Sequence, residues 1–225
     1  MLRKATSWPV DERRADLMGF PSTIGEQAMA KRLSKCERLE RTAYHEAGHA
    51  VAENHYAGKI KTVSIIPKDD TLGRMRAKNP FAGKPLDTVR ITPHLEKKIR
   101  DQIVVSLAGG VAEFLFAGRK CHVGASGDYH NAVDLAERLH GFNTAVTEKY
   151  LDYLYAVAKN LMESRWKAVQ ALATALMEEN EIDGARALDI IRDAIYGPDV
   201  NKRLKENAAS LASIGRTANK IAVDG

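Results

Sequence analysis

Along the 225-residue chain the spacing of apolar positions changes period several times, and each change predicts an element. Between Glu37 and Ala57, Ala43, Ala47, Ala50 and Val51 recur at helical spacing, predicting a helix that Gly58 closes. Ile60–Pro67 is rich in β-branched residues and partly alternates, which predicts a strand. Lys68–Asp70 then turns the chain into a second strand, Thr71–Arg76. Pro80, Gly83 and Pro85 mark Ala77–Thr92 as a loop. From Pro93, the positions Leu95, Ile99, Ile103, Leu107, Val111 and Leu115 predict a long helix ending at Ala117–Gly118. A loop over Arg119–Asp128 leads to a further helix through Ala132–Leu139, with Ser126 or Asp128 near its N-terminus. Tyr150–Glu179 and Ala185–Tyr196 carry periodic apolar faces, separated by Asn180–Gly184, with Asp183 as the cap of the second. The expectation is a mainly α fold with a small β-sheet. Its domain spans residues 38–197, between an N-terminal arm (1–37, with a short helix near Thr23–Leu33) and a polar C-terminal tail (198–225).

Composition adds a class: 44% hydrophobic and 28% charged residues describe a soluble globular protein able to bury a core. Met1-Leu2-Arg3-Lys4 is followed by no apolar run, and no stretch reaches the length of a membrane span. Cys36 and Cys121 lie far apart and form no Cys-x-x-Cys pair, so they read as thiols of a reducing compartment, and a cytoplasmic location is expected. The net charge of +5 is uneven: Lys59–Asp101 holds eleven Lys/Arg against five Asp/Glu. That excess is expected to be a solvated face, since no nucleic-acid signature accompanies it.

The chemistry concentrates in Tyr44-His45-Glu46-Ala47-Gly48-His49-Ala50-Val51. Histidines four residues apart on a helix share a face, so both imidazoles reach one ion, and Glu46 stands where a carboxylate can take a proton from activated water. This is the H-E-x-x-H arrangement of zinc peptidases. Gly48 inside that helix points to close packing or function. Two histidines leave the shell incomplete. A third protein ligand is open among Glu113, Asp128, Asp134, Glu137, His122, His130 and His140; chemistry alone does not separate Asp128 from Glu113.

Several further segments occur in one order: TAYHEAGHAV at 42–51, VSIIP at 63–67 with LGR at 72–74, LAGGVAEFLFAG at 107–118 and GASGD at 124–128. Together with AERL at 136–139 and EIDG at 181–184, that order resembles the peptidase domain of the FtsH-type AAA zinc metalloproteases over about residues 38–196. The resemblance implies an FtsH-like fold with the small sheet beside the metal-binding helix. It implies zinc held by His45, His49 and Asp128, with Glu46 as the general base and Glu113 orienting a ligand histidine. The Cys121-His122 pair is a minor alternative to Asp128. The implied activity is a zinc-dependent endopeptidase acting on unfolded or flexible polypeptide, with the strand around Val63–Ile66 as the edge that aligns substrate.

The departures matter too. No G-x-x-x-x-G-K-[ST] occurs, so direct ATP binding is not expected, nor are the family's membrane spans, and a separate ATPase or adaptor is the implied partner. A homo-oligomer is implied by the family, although its hexameric ring is organised partly by the ATPase module. Gly110, Phe114 and Gly127 replace the arginine, second glutamate and asparagine usual there. They leave room for the rival of a non-catalytic module that grips unfolded chains or a partner ATPase.

Overall fold

In the computed structural model, residues 34–68, 71–82, 86, 90–118 and 122–208 are described. Six named helices and a three-stranded sheet follow in the order α1 (Lys35–His55), β1 (Ile60–Ser64), β2 (Arg74–Ala77), α2 (Pro93–Ala117), α3 (His122–His140), α4 (Thr144–Ser164), α5 (Trp166–Glu179), β3 (Glu181–Asp183) and α6 (Gly184–Tyr196). Residues 198–208 are also helical. None of the described helices is long and apolar enough to cross a membrane. The fold is mainly α with a small sheet, as the periodicities predict.

The core is built on α2. Pro93 begins it, Thr92 accepts the Leu95 N–H as its cap, and Gly118 ends it in the left-handed region at φ 67°. Ile103, Val104, Val105, Ala108, Val111 and Ala112 are buried in consecutive turns, because α1, α3 and α4 all pack on this helix. Each large aliphatic so buried contributes about 1.5–3 kcal/mol. Against α2, the alanine-rich face of α1 lets the two backbones close up. A Cβ on Gly48 would stand 2.6 Å from both the Ala108 oxygen and the Ala112 methyl, so alanine there would force the helices apart. Toward the C-terminal end of α2, Tyr44 stacks between Phe116 (centroids 4.0 Å apart) and Trp166 (5.5 Å). Trp166 therefore packs on the histidine helix.

The sheet order is β2-β1-β3, antiparallel throughout, with Val63 opposite Met75 on one side and Ile182 on the other. Val63 and Ile182 are buried, joining the sheet to the core. Here the sequence reading needs correction. β1 is the central strand, so both of its edges are taken and it cannot align a substrate. The partner it acquires, β3, is three residues long and carries one buried side chain, too short to register as a period.

Three other boundaries differ. The chain over Tyr150–Glu179 is two helices, broken at Arg165 (φ −113°, ψ 18°) with no glycine or proline to announce it. The loop expected over Arg119–Asp128 is helical from His122, which puts Asp128 in the second turn of α3 rather than at its cap. The start of the tail is helical, with the Asn201 amide donating to Asp193 Oδ1 at 2.7 Å. Asp183 does cap α6, accepting from the N–H groups of Ala185 and Arg186. The arm helix, Cys121 and the end of the tail lie outside the described residues, as does the side chain of His122.

Candidate metal centre

His45 and His49 rise from one face of α1, and Asp128 reaches the same point from α3. The donor atoms form a nearly equilateral triangle: His45 Nε2 to His49 Nε2 is 3.1 Å, His45 Nε2 to Asp128 Oδ2 3.1 Å, and His49 Nε2 to Asp128 Oδ2 3.2 Å. Bonds of about 2.0–2.1 Å to a tetrahedral ion set its ligand atoms about 3.3 Å apart, so this triangle is of the size a metal requires.

The protonation pattern makes the same case. His49 Nδ1 lies 2.7 Å from the Val105 carbonyl oxygen, which can only accept, so Nδ1 carries the proton and the Nε2 of neutral His49 is bare. His45 Nδ1 is buried and faces Glu113 Oε2 at 3.4 Å, short of a well-aligned hydrogen bond but the arrangement that favours its proton on that side too. Two bare nitrogens and one carboxylate oxygen then converge with no proton between them. Such a cluster of lone pairs calls for a cation.

Without a metal, protons fill that role. Burial lowers the pKa of His45, but the hydrogen bond to Asp128, the facing Glu113 carboxylate and the charges of Glu46 and Asp128 together raise it to about 10. For His49, burial is likewise outweighed by Asp128, and its pKa is raised. Asp128 is pushed up by burial but held below the usual carboxylate range by the two histidines. A cation bound here would displace the protons.

The supporting shell is made by α1 and α2. Glu113, buried on α2, lies between His45 and Arg41, whose guanidinium is 3.6 Å from Glu113 Oε1 and supplies the countercharge a buried carboxylate needs. The ring of His49 lies directly over Gly109, where a Cβ would overlap it. Glu46 points to the sheet side. It is buried beside Gly73, and the Met75 N–H of β2 donates to its carboxylate. Burial raises its pKa, with the charges of His49 and His45 opposing.

Of the sequence candidates, the structure brings His45, His49 and Asp128 to one point, with Glu46 beside them and Glu113 behind His45. Glu113 faces Nδ1, the wrong side of the ring to share an ion with Nε2. No other group of three possible ligands occurs among the described residues. A side chain at Gly127 would meet open space, so that departure leaves the cluster undisturbed. The sequence reading missed Arg41, the Val105 carbonyl, Met75 and Gly109. Main-chain partners leave no trace in residue type, but the tandem Gly109-Gly110 inside an apolar helix was a legible sign of close approach.

The family model described as Peptidase family M41 matches residues 32–148, a span containing all five of these acidic and histidine side chains. The chain is 37% identical over 105 residues to an "ATP-dependent zinc metalloprotease FtsH" of Pelodictyon phaeoclathratiforme, covering 46% of this chain and 14% of that protein. The FtsH of Thermus thermophilus is 37% identical over 100 residues, 44% of this chain and 14% of its own. FtsH 1 of Rhodopirellula baltica is 24% identical over 268 residues, covering 95% of this chain and 36% of its own. The chain thus spans little more than a third, at most, of these relatives. On a family match that spans half the chain and contains the histidine helix, this protein belongs to peptidase family M41.

Proposed function

We propose that the chain is a zinc-dependent endopeptidase that cuts flexible or unfolded polypeptide segments. The observation that carries this is the convergence of His45 Nε2, His49 Nε2 and Asp128 Oδ2 with the buried Glu46 at their side. The three donors would hold zinc, the metal in the relatives' names. When bound, that ion supplies Lewis-acid polarisation of a carbonyl and acidifies water. Glu46 accepts the proton from the attacking water on its carboxylate and delivers it to the departing amine nitrogen. Burial raises the pKa of Glu46 against the opposing His49 and His45 charges and the Met75 backbone bond, which suits its carboxylate to take up a proton. Glu113 and the Val105 carbonyl fix the two imidazoles in the tautomer that presents Nε2.

Substrate alignment falls to β2. Its outer edge has no strand partner among the described residues, and its Met75 touches Glu46. An extended peptide added there gains main-chain hydrogen bonds, which give little sequence preference. The 225 residues contain no G-x-x-x-x-G-K-[ST], so by themselves they act on segments already accessible, and a separate ATPase or adaptor would have to deliver folded substrates. Cys36 is an exposed free thiol, which suits a reducing cytoplasmic setting.

Zinc content and cleavage of unfolded casein, measured on wild type, Glu46→Gln and Asp128→Ala, test the reading. Wild type should bind zinc and cut. Glu46→Gln should bind zinc with activity about 10²-fold lower or less, and Asp128→Ala should bind zinc weakly. Zinc bound without any cutting by wild type would favour the non-catalytic module; no zinc in folded wild type offered the metal would remove both.

A further inference from the structure

Glu53 breaks two local rules at once. It lies in the last turn of α1, which ends at His55, where the helix dipole disfavours negative charge. It is also buried, with 5% of its surface exposed; its main-chain oxygen accepts the Gly58 N–H, while its carboxylate, within reach of the His49 charge, accepts no hydrogen bond among the described residues. Little water reaches the carboxylate, and that burial raises its pKa, so its charge is held at a cost. Nor can the side chain swing freely, because Gly58 covers it: a Cβ at 58 would overlap the Glu53 carboxylate. A charged group held so against local preference points to a task.

What Glu53 faces is open space. A cavity of about 510 Å³ is bounded by Glu53, Met75, Phe81, Gln102, Ser106 and Asn131, and an adjoining one of about 300 Å³ shares Glu53 and Gln102. The larger cavity approaches the candidate metal centre through Met75, which lines it and whose backbone bonds Glu46. Lys78, Asp134 and Arg138 also line it, but their side chains are exposed, where water and salt screen them. Glu53 is the buried charge, so it sets the preference of the interior.

We propose that this cavity is a side-chain pocket beside the scissile bond and that Glu53 selects lysine or arginine side chains of the polypeptide. The methylene stem of such a residue lies along Met75 and Phe81, and its cationic head meets the Glu53 carboxylate, with the buried Ser106 hydroxyl as a further acceptor. Position next to the scissile bond rests on the peptidase reading; the pocket's selectivity does not.

Peptides of one alanine-rich sequence, with lysine, leucine or aspartate at the central position, separate the two. Binding to the zinc-loaded Glu46→Gln protein is read by fluorescence anisotropy, and cleavage by zinc-loaded wild type by mass spectrometry. The lysine peptide should bind about tenfold more tightly than the leucine peptide, and wild-type cuts should cluster beside lysine. Glu53→Gln, introduced into both proteins, should erase the lysine-to-leucine ratio, and Glu53→Asp should retain part of it. Equal binding of lysine and leucine peptides overturns the inference whether or not the protein cuts, and it does so without any change at Glu53. Selective binding without cutting upholds the pocket and overturns the peptidase; cutting without lysine preference does the reverse.

Discussion

His49 and Val105 are joined by a hydrogen bond of 2.7 Å between the imidazole Nδ1–H and the main-chain oxygen, and this bond decides which nitrogen faces Asp128. The carbonyl belongs to α2 and the histidine to α1, so the packing of two helices sets the tautomer of a candidate ligand.

Metal binding should therefore expel protons. In the metal-free protein His45 keeps its proton up to about pH 10, above its ordinary 6.5. At pH 7.5 zinc must displace it, and apparent affinity should rise with pH through the neutral range. Titration calorimetry in two buffers of different ionisation enthalpy should give different heats; identical heats would contradict the proton-filled cluster.

Gly109→Ala should weaken zinc binding about tenfold or more, because the new methyl would overlap the His49 ring. Alanine is otherwise the better helix former by about 1 kcal/mol. Helical content should hold while metal affinity falls, a split that circular dichroism and a zinc competition assay can read. Undiminished affinity in the folded variant would mean the ring does not rest on Gly109.

Glu113→Gln keeps the shape but removes the charge facing His45 Nδ1 and Arg41. Losing such a partner typically costs about 10–100-fold in metal affinity or activity. Zinc affinity and casein cleavage should both drop within that range, whereas Glu137→Gln, on a candidate the structure leaves out of the cluster, should match wild type.

Glu46 must be ionised to accept a proton. Its folded pKa is raised above 4.5, chiefly by burial, so the basic form is lost as pH falls through a value higher than that of a free glutamate. The acid limb of kcat/KM should accordingly lie above pH 4.5, and a limb below it would show that another group is titrating.

The sequence by itself determined the helices with long apolar periods, the cap at Asp183, and the shared face of the histidine pair. Helical spacing and residue chemistry are local, so His45 and His49 had to share a face whatever the rest of the chain did. Resemblance added Asp128, which chemistry alone left level with Glu113. Tertiary structure decided what depends on contacts far apart in the chain. It put Glu113 on the Nδ1 side of His45, and it made β1 the central strand by pairing it with three residues near position 182. The break at Arg165 carries no glycine or proline stop, and the helical start at His122 is hidden because Gly124 and Gly127, residues that ordinarily mark loops, lie in the first turns of α3. Glu53 reads as an ordinary charged residue near a helix end until the packing of α1, α2 and β2 leaves it buried beside a cavity, since burial belongs to the assembled core and not to the residue.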